Sequence, residues 1–184
     1  MADKNQTTKV VTGKVRFSYL QVFQPAAMEE GQEKKYSVSL LIPKTDMVTI
    51  AKINAAIEAA REEAKAKNGG KLPARFELPL RDGDVERPED EAYAGHYFVS
   101  AKSKTKPGLV DKDMNEIIDP EELYSGCYGR ASINFYPFDK AGNRGVACGL
   151  NNLQKLKDGE PLSGRTSAAV DFADGFEDED DDLM

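Results

Sequence analysis

The chain has 184 residues, enough for one domain that buries a sizeable hydrophobic core. Its net charge of −7 is unevenly spread: residues 171–184 hold eight of the 32 acids and no base, so the remaining 24 acids face 25 bases. No segment approaches the roughly 20 apolar residues of a membrane helix, and the polar N-terminus does not resemble a signal peptide, so we expect a soluble, cytoplasmic protein with no membrane partner.

Two alternating segments, residues 9–23 and 34–44, predict the first two strands, because period-two alternation is typical of half-buried β-structure. The predicted inward positions are Val15, Phe17 and Tyr19 in the first segment and Tyr36, Val38, Leu40 and Ile42 in the second. The predicted outward positions include the bases Lys14, Arg16 and Lys35 and the serines Ser18, Ser37 and Ser39.

A helix is predicted over about residues 46–67, where the apolar period changes to steps of three and four. The apolar stripe consists of Ile50, Ile53, Ile57, Ala60 and Ala64. Thr45 or Asp46 can cap its start, and Gly69 and Gly70 can end it.

Residues 71–94 carry three prolines and seven acids and predict a long, irregular connection. Asp82 and Asp84 are the candidate ligands for a divalent cation, but no known cation-loop spacing surrounds them. We therefore expect an acidic surface loop and no metal or cofactor.

The segment GHYFVSAKSKTKPGLVD predicts a third strand followed by a basic loop. Its predicted core face consists of Tyr97, Val99 and Ala101. Its other face presents His96, Phe98, Ser100, Lys102 and Lys104, with Lys106 just beyond.

A hairpin is predicted from residue 126 to residue 151, with Phe138 opposite Asn143 across a four-residue turn. This register pairs apolar residues across the core face: Phe135 with Val146, Ile133 with Cys148, and Ala131 with Leu150. It separates Cys127 from Cys148 by about 20 Å, since strands rise about 3.3 Å per residue, so we expect two buried free thiols.

The hairpin's other face predicts an open binding surface. One strand presents Tyr128, Arg130, Ser132, Asn134 and Tyr136, and its neighbour presents Gly145, Ala147, Gly149 and Asn151. Rings interleaved with cations beside a strand of small residues favour single-stranded nucleic acid, because bases stack on the rings and cations neutralise phosphates. The alternative is that the helix or the 71–94 loop covers this face, which would make Phe98, Tyr128 and Tyr136 ordinary core residues.

Enzymatic activity is not expected, since the chain has neither a phosphate-binding loop ending in GK[ST] nor a nucleophile elbow. A nuclease that uses Asp82 and Asp84 is the remaining enzymatic alternative. Five strands and one helix predict a small closed or partly open barrel over residues 1–170, followed by a flexible acidic tail over 171–184.

The blocks GHYFVSAKSKTKPGLVD and GCYGRASINFYPFDKAGNRGVACGLNNLQKLKDGEPLSG, together with the acidic end, resemble the single-stranded-DNA-binding proteins of tailed bacteriophages. The resemblance runs from KVRFSYLQVFQP to the tail and implies an OB fold, non-catalytic binding of single-stranded DNA, and a role in phage DNA replication or recombination. The helix after the second strand departs from the simplest OB layout, in which it follows the third. The family's aromatic and basic residues map to Phe98, Lys102, Lys104, Arg130, Tyr136 and Arg144.

Face and resemblance together predict the DNA-contacting residues Lys14, Arg16, Lys35, Phe98, Lys102, Lys104, Lys106, Tyr128, Arg130, Asn134, Tyr136 and Arg144. Self-association on DNA is left open. The alternative function is an OB-like protein-interaction or structural phage component that does not bind DNA.

The tail can imitate the DNA backbone, compete for the basic face, and recruit replication or recombination proteins when DNA displaces it. The residues predicted to make these contacts are Phe172, Phe176, Asp178, Asp180, Asp181, Asp182, Leu183 and Met184. A tail that only improves solubility is the alternative.

Overall fold

The structure is a computed structural model that describes residues 8–27, 29–72, 75–140 and 143–162. Its strands are β1 (Lys9–Val11), β2 (Val15–Ala26), β3 (Lys35–Pro43), β4 (Phe76–Glu77), β5 (Arg81–Asp82), β6 (His96–Ser103), β7 (Gly108–Val110), β8 (Tyr128–Lys140) and β9 (Asn143–Lys157). The helices are α1 (Met47–Lys67), α2 (Gly83–Glu86) and a 3₁₀ turn at Glu91–Tyr93. The predicted tail contacts lie outside the described residues.

Five strands close into a barrel in the order β2-β3-β6-β9-β8, and β8 pairs again with β2. The pairs are antiparallel except β6 with β9, where Ala101 lies opposite Cys148. This closed five-stranded ring confirms the predicted OB barrel, and the strand order is unaffected by the helix after the second barrel strand. β1 pairs with the part of β8 that lies beyond its pairing with β2, with Lys9 opposite Asn134.

The helix α1 confirms the predicted apolar stripe. It begins after Asp46, whose carboxylate accepts the Thr49 N–H at 3.1 Å. Ile53 and Ala60 are fully buried in the main core, next to strand residues such as Phe17 and Val99. Burying a side chain the size of Ile53 stabilises the fold by roughly 1.5–3 kcal/mol, so this stripe ties the inserted helix to the barrel.

The first predicted strand is wrong at one inward position. Tyr19 is 56% exposed and has a φ of +48°, whereas Val15 and Phe17 are buried as predicted. The β2–β3 register shifts between Ser18 and Gln21, and this bulge changes which residues point inward. Tyr19 therefore turns to solvent, and Val22 becomes the next buried residue.

The predicted hairpin register is wrong by two residues from Ile133 to the turn, and by three beyond a bulge after Ser132, where Ala131 lies opposite Leu153. Lys140 pairs with Asn143, so that Phe135 lies opposite Cys148 and Ile133 opposite Leu150. The predicted turn was too long because the polar residues at 139 and 140 continue the strand. The shift of two keeps the side chains between Ile133 and the turn on their predicted faces, and both cysteines are buried free thiols as expected.

The connection at 71–94 is more ordered than predicted. Residues 81–94, named the strap below, contain β5, α2 and the 3₁₀ turn, and β5 pairs with β6 through Arg81 and Phe98. β5 therefore lies beside the beginning of β6 in the sheet, and the 3₁₀ turn brings Tyr93 against Phe98 on the outer face of β6. None of the helices in the described ranges combines the length and apolar character that a bilayer crossing requires.

Candidate nucleic-acid interface

An open groove of about 890 Å³ lies on the outer face of β3 and β6, next to the strap. Its floor is formed by the hydroxyl side chains of Ser37, Ser39 and Ser100, on neighbouring strands of the barrel. Six of the residues that line it, which we call the groove residues, are Tyr19, Gln21, Lys35, Arg87, Lys102 and Lys140. Glu33 also lines the groove and pairs with Lys104 at its edge.

The four cations of the groove carry no ion pair among the described residues: Lys35, Arg87, Lys102 and Lys140. Some basic residues elsewhere on the surface are paired, as Arg61 is with Glu58 and Lys65 with Glu62. Within the described ranges, these four cations outnumber the single lining carboxylate, that of Glu33, which pairs with Lys104, so the groove attracts an anion and its walls focus the field.

The predicted exposure of Phe98 is wrong. Only 6% of its surface is accessible, because Tyr93 of the strap packs edge-on against it with ring centroids 5.0 Å apart. The Tyr93 hydroxyl lies 3.2 Å from Ser18 Oγ and 3.4 Å from Ser39 Oγ, so these outward-facing serines are buried too. The strap thus covers one end of the face that the sequence pattern left open.

Arg87 lies where the strap meets the groove. Its guanidinium carbon is 5.6 Å from the Tyr93 ring centroid, 5.7 Å from that of Tyr19 and 5.9 Å from that of Phe98. A guanidinium at these distances is attracted by the ring faces, and its donors remain available for a phosphate. Arg87 is therefore held at the end of the groove by rings.

The strap is anchored by Lys44 at the end of β3. Its Nζ lies 2.8 Å from an oxygen of Asp82 and 2.8 Å from an oxygen of Asp84. Hydrogen bonding to the ammonium holds the pKa of each carboxyl below its usual range. The two aspartates considered as cation ligands in the sequence are thus paired with a lysine and fasten the strap.

Beyond the groove, the outer face of β9 has almost no side chains. Gly149 lies opposite Asn134 and Ala147 opposite Tyr136, and Tyr136 is 42% exposed. A Cβ added to Gly149 would come within 2.7 Å of the Asn134 Oδ1 and 3.4 Å of the Tyr136 ring. Glycine at 149 thus leaves room for these two side chains to lie over β9.

Tyr128 occupies the far end of β8 and is surrounded by cations. Lys157 Nζ is 4.9 Å from its ring centroid, the Arg16 guanidinium carbon 5.2 Å and Lys14 Nζ 5.8 Å. Arg16 also donates to the carbonyls of Gly126 and Glu160, so it helps hold the chain after β9 against the barrel. The structure thus places Lys14, Arg16 and Tyr128 together, but away from the groove.

The other predicted bases lie at the edges. Lys104 pairs with Glu33 at 3.5 Å, and Arg144 pairs with Asp139 at 3.3 Å. Lys106 lies 5.6 Å from the Phe23 ring centroid, and the Nε of Arg130 donates to the Thr12 carbonyl. Of the twelve predicted contacts, Lys35, Lys102 and the covered Phe98 line the groove.

Sequence reasoning missed Tyr19, Arg87 and Lys140. Tyr19 was assigned inward because a bulge leaves no mark in the alternation. Lys140 falls at the tip of the β8–β9 hairpin, and the corresponding loop of OB folds is a known ligand-binding loop, so the fold itself could have indicated it. No local signal marks Arg87, which stands among acids.

Residues 8–184 match the family model described as "Enterobacter phage Enc34, ssDNA-binding protein". The chain belongs to the Enc34 single-stranded-DNA-binding family. The match covers the barrel and extends through the acidic end.

Similar proteins of phages agree with this membership. Protein p50 of Acyrthosiphon pisum secondary endosymbiont phage 1 is 31% identical over 175 residues, which cover 90% of this chain and 92% of p50. The single-stranded DNA-binding protein of bacteriophage Enc34, solved in complex with ssDNA, is 29% identical with a TM-score of 0.74, over 86% of this chain and 91% of that one. A single-stranded DNA-binding protein of bacteriophage T7, gp2.5, shares the fold at 17% identity and a TM-score of 0.62, covering 93% and 96% of the two chains.

Proposed function

We propose that the chain binds single-stranded DNA without sequence preference, in phage DNA replication or recombination, and that it has no catalytic activity. The observation that carries the proposal is the groove on β3 and β6, where four cations that have no ion pair within the described part of the chain line a floor of small hydroxyl side chains. Membership of the Enc34 family supports it, since a relative was solved in complex with ssDNA.

The groove chemistry fits a flexible polyanion that carries flat rings. Lys35 and Lys102 lie on its floor strands and can neutralise phosphates, while Tyr19 is exposed and offers its ring to a base. Each stacked base contributes roughly 1–3 kcal/mol by alanine substitution, and stacking does not depend on base identity. The serine hydroxyls can bond to any phosphate or base edge, which suits binding without sequence preference.

Fluorescence titration of single-stranded oligonucleotides at low and high salt tests the proposal. Affinity should fall as salt rises, because each neutralised phosphate releases condensed counterions, with a slope of about −0.7 per contact for single strands. Double-stranded DNA of the same length and an unrelated polyanion serve as matched competitors. Micromolar or weaker binding that is equal for all three would contradict the proposal.

The proposal extends to the acidic tail, which we infer to compete with DNA and to recruit replication or recombination proteins. The described chain ends at Leu162, which packs against Tyr93 and Phe98 beside the groove. The remaining 22 residues, 163–184, can span at most about 79 Å when extended, so the acids at 171–184 can reach the groove cations.

Deleting residues 171–184 tests the competition. Removing eight negative charges should tighten binding of single-stranded DNA, most strongly at low salt, where charge screening is weakest. A variant that replaces the tail's acids with Asn and Gln at unchanged length separates charge from tethering. Unchanged affinity in both variants would reject competition and leave the tail as a solubilising segment.

A further inference from the structure

We propose that the outward row of β8 is a second contact surface for single-stranded DNA, which continues the groove around the barrel. It ends at the three cations around the Tyr128 ring, named the Tyr128 cations, which are Lys14, Arg16 and Lys157. The proposal rests on the proposed function. The row, named the β8 row, consists of Tyr128, Arg130, Ser132, Asn134 and Tyr136, and alternates with buried residues such as Ala131 and Ile133.

Cross-strand pairing connects the groove to this row. On the outer face Ser37 of β3 lies opposite Lys102 of β6, and Lys102 lies opposite Gly149 of β9. Gly149 lies opposite Asn134 of the β8 row. One line of neighbouring positions thus leads from the groove floor to β8 across Gly149, over which the nearest side chains are those of the β8 row itself, Asn134 and Tyr136.

Cations accompany the row along its length. Lys9 lies opposite Asn134, and Arg130 is itself exposed. At the far end, Arg16 and Lys157 are the cross-strand partners of Tyr128 on its two sides.

The Tyr128 end concentrates positive charge without compensation. Three cationic groups lie within 6 Å of one ring centroid. In the part of the chain that the structure describes, none of Lys14, Arg16, Arg130 and Lys157 pairs with a carboxylate. Such crowding of like charges is unfavourable until an anion joins it, and a ring at its centre adds a stacking partner that favours nucleic acid over a purely acidic ligand.

The length of the row fits several further nucleotides. Tyr128 and Tyr136 are eight residues apart on one strand, which places them about 26 Å apart at ~3.3 Å per residue. Rings therefore stand at both ends, with Arg, Ser and Asn between them. A DNA strand that leaves the groove over Gly149 meets Tyr136 and Asn134 first and the Tyr128 cations last.

The test compares a short with a long oligonucleotide on the full chain. Thymidine oligomers of about 6 and about 20 nucleotides are chosen to fill the groove alone or the groove with the β8 row, within the site sizes of OB folds. The variant is Lys14→Gln/Lys157→Gln, and the matched control is Lys52→Gln/Lys112→Gln, which removes two exposed charges elsewhere. Thermal melting confirms that both variants fold.

We expect the variant to lose affinity only for the long oligomer. Two lost phosphate contacts lower the salt slope by about 1.4 and the affinity about 25-fold at 0.1 M salt, since each contact contributes about fivefold through counterion release. Arg130→Gln, a second variant that leaves the Tyr128 cations in place, should weaken the long oligomer about fivefold.

Three results would overturn the proposal: no difference from the control variant, equal weakening of both oligomers, or weakening of the short one alone. Equal weakening is expected if the Tyr128 cations dock the chain's own acidic tail, because a released tail would compete in the groove. Failure of the wild-type chain to bind the short oligomer would instead refute the groove, and so separates the two proposals.

Discussion

The strand β6 has two halves that face the same side of the barrel with different consequences. Over its first half the strap lies on the outer face and buries Phe98 beneath Tyr93, whereas over its second half Ser100 and Lys102 remain open as the groove. The charges differ in the same way. Lys44, beside the covered half, is bound by two aspartates, but Lys102 has no carboxylate partner among the described residues.

This difference separates the groups that build the interface from those that are free to bind. A paired cation and a covered ring hold the strap in place. An unpaired cation and an open ring gain partners only when a ligand arrives. Alternation in the sequence assigns both halves to one face, but it does not show which half another segment covers.

The largest expected effect is the difference in stability between removing a buried ring and removing an exposed one. Phe98→Ala should lower the free energy of unfolding by about 3–5 kcal/mol, because it leaves a cavity under Tyr93. Tyr136→Ala should change stability by less than about 1 kcal/mol but cost roughly 1–3 kcal/mol of binding to a long oligonucleotide. Urea denaturation and fluorescence titration measure the two, and equal losses of stability would show that both rings are core.

Next in size is the loss of the groove charges. Lys35→Gln/Lys102→Gln should weaken single-stranded DNA binding about 25-fold at 0.1 M salt and lower the salt slope by about 1.4. The control Arg61→Gln/Lys65→Gln removes two charges that α1 already pairs with glutamates, so its DNA affinity should stay within about twofold of wild type. Similar losses in both variants would mean that only net charge matters.

A smaller effect is expected at the strap's anchor. Lys44→Met leaves Asp82 and Asp84 without their cation, so the strap should loosen and Arg87 should lose its position at the groove. Loss of one phosphate contact corresponds to about fivefold weaker binding at 0.1 M salt. Limited proteolysis between residues 81 and 94 should speed up relative to the control Lys52→Met, and unchanged cleavage would refute the anchor.

The smallest effect is a dependence on pH. Pairing with Lys44 lowers the folded-state pKa of Asp82 and Asp84, so their contribution is fully present above the usual aspartate pKa of about 3.9 and is lost as the pH falls through their lower folded values. The side-chain carboxyl ¹³C resonances of Asp82 and Asp84 should report this loss directly in an NMR titration. Carboxyl midpoints at or above the usual aspartate value of about 3.9 would contradict the assignment.

Local pattern predicted the barrel well, because strand alternation, the α1 stripe and the faces of β8 are set by neighbouring residues. The errors came from features that pattern does not carry. A bulge after Ser18 reversed Tyr19, and the strap covered Phe98 from a segment with little periodicity. Between Ile133 and the turn the hairpin error moved the register by two residues and kept the faces, which is why the open surface over Gly149 was found despite it.

The central claim is that single-stranded DNA occupies the open half of β6 and its neighbour β3. The most direct measurement is the change in backbone amide chemical shifts when a thymidine oligomer is titrated into the full chain. The largest changes are predicted at Tyr19–Gln21, Lys35–Ser39 and Ser100–Lys102, with little change in α1. Shifts confined to α1 or to the outer side of the strap, with the groove amides unmoved, would contradict the claim.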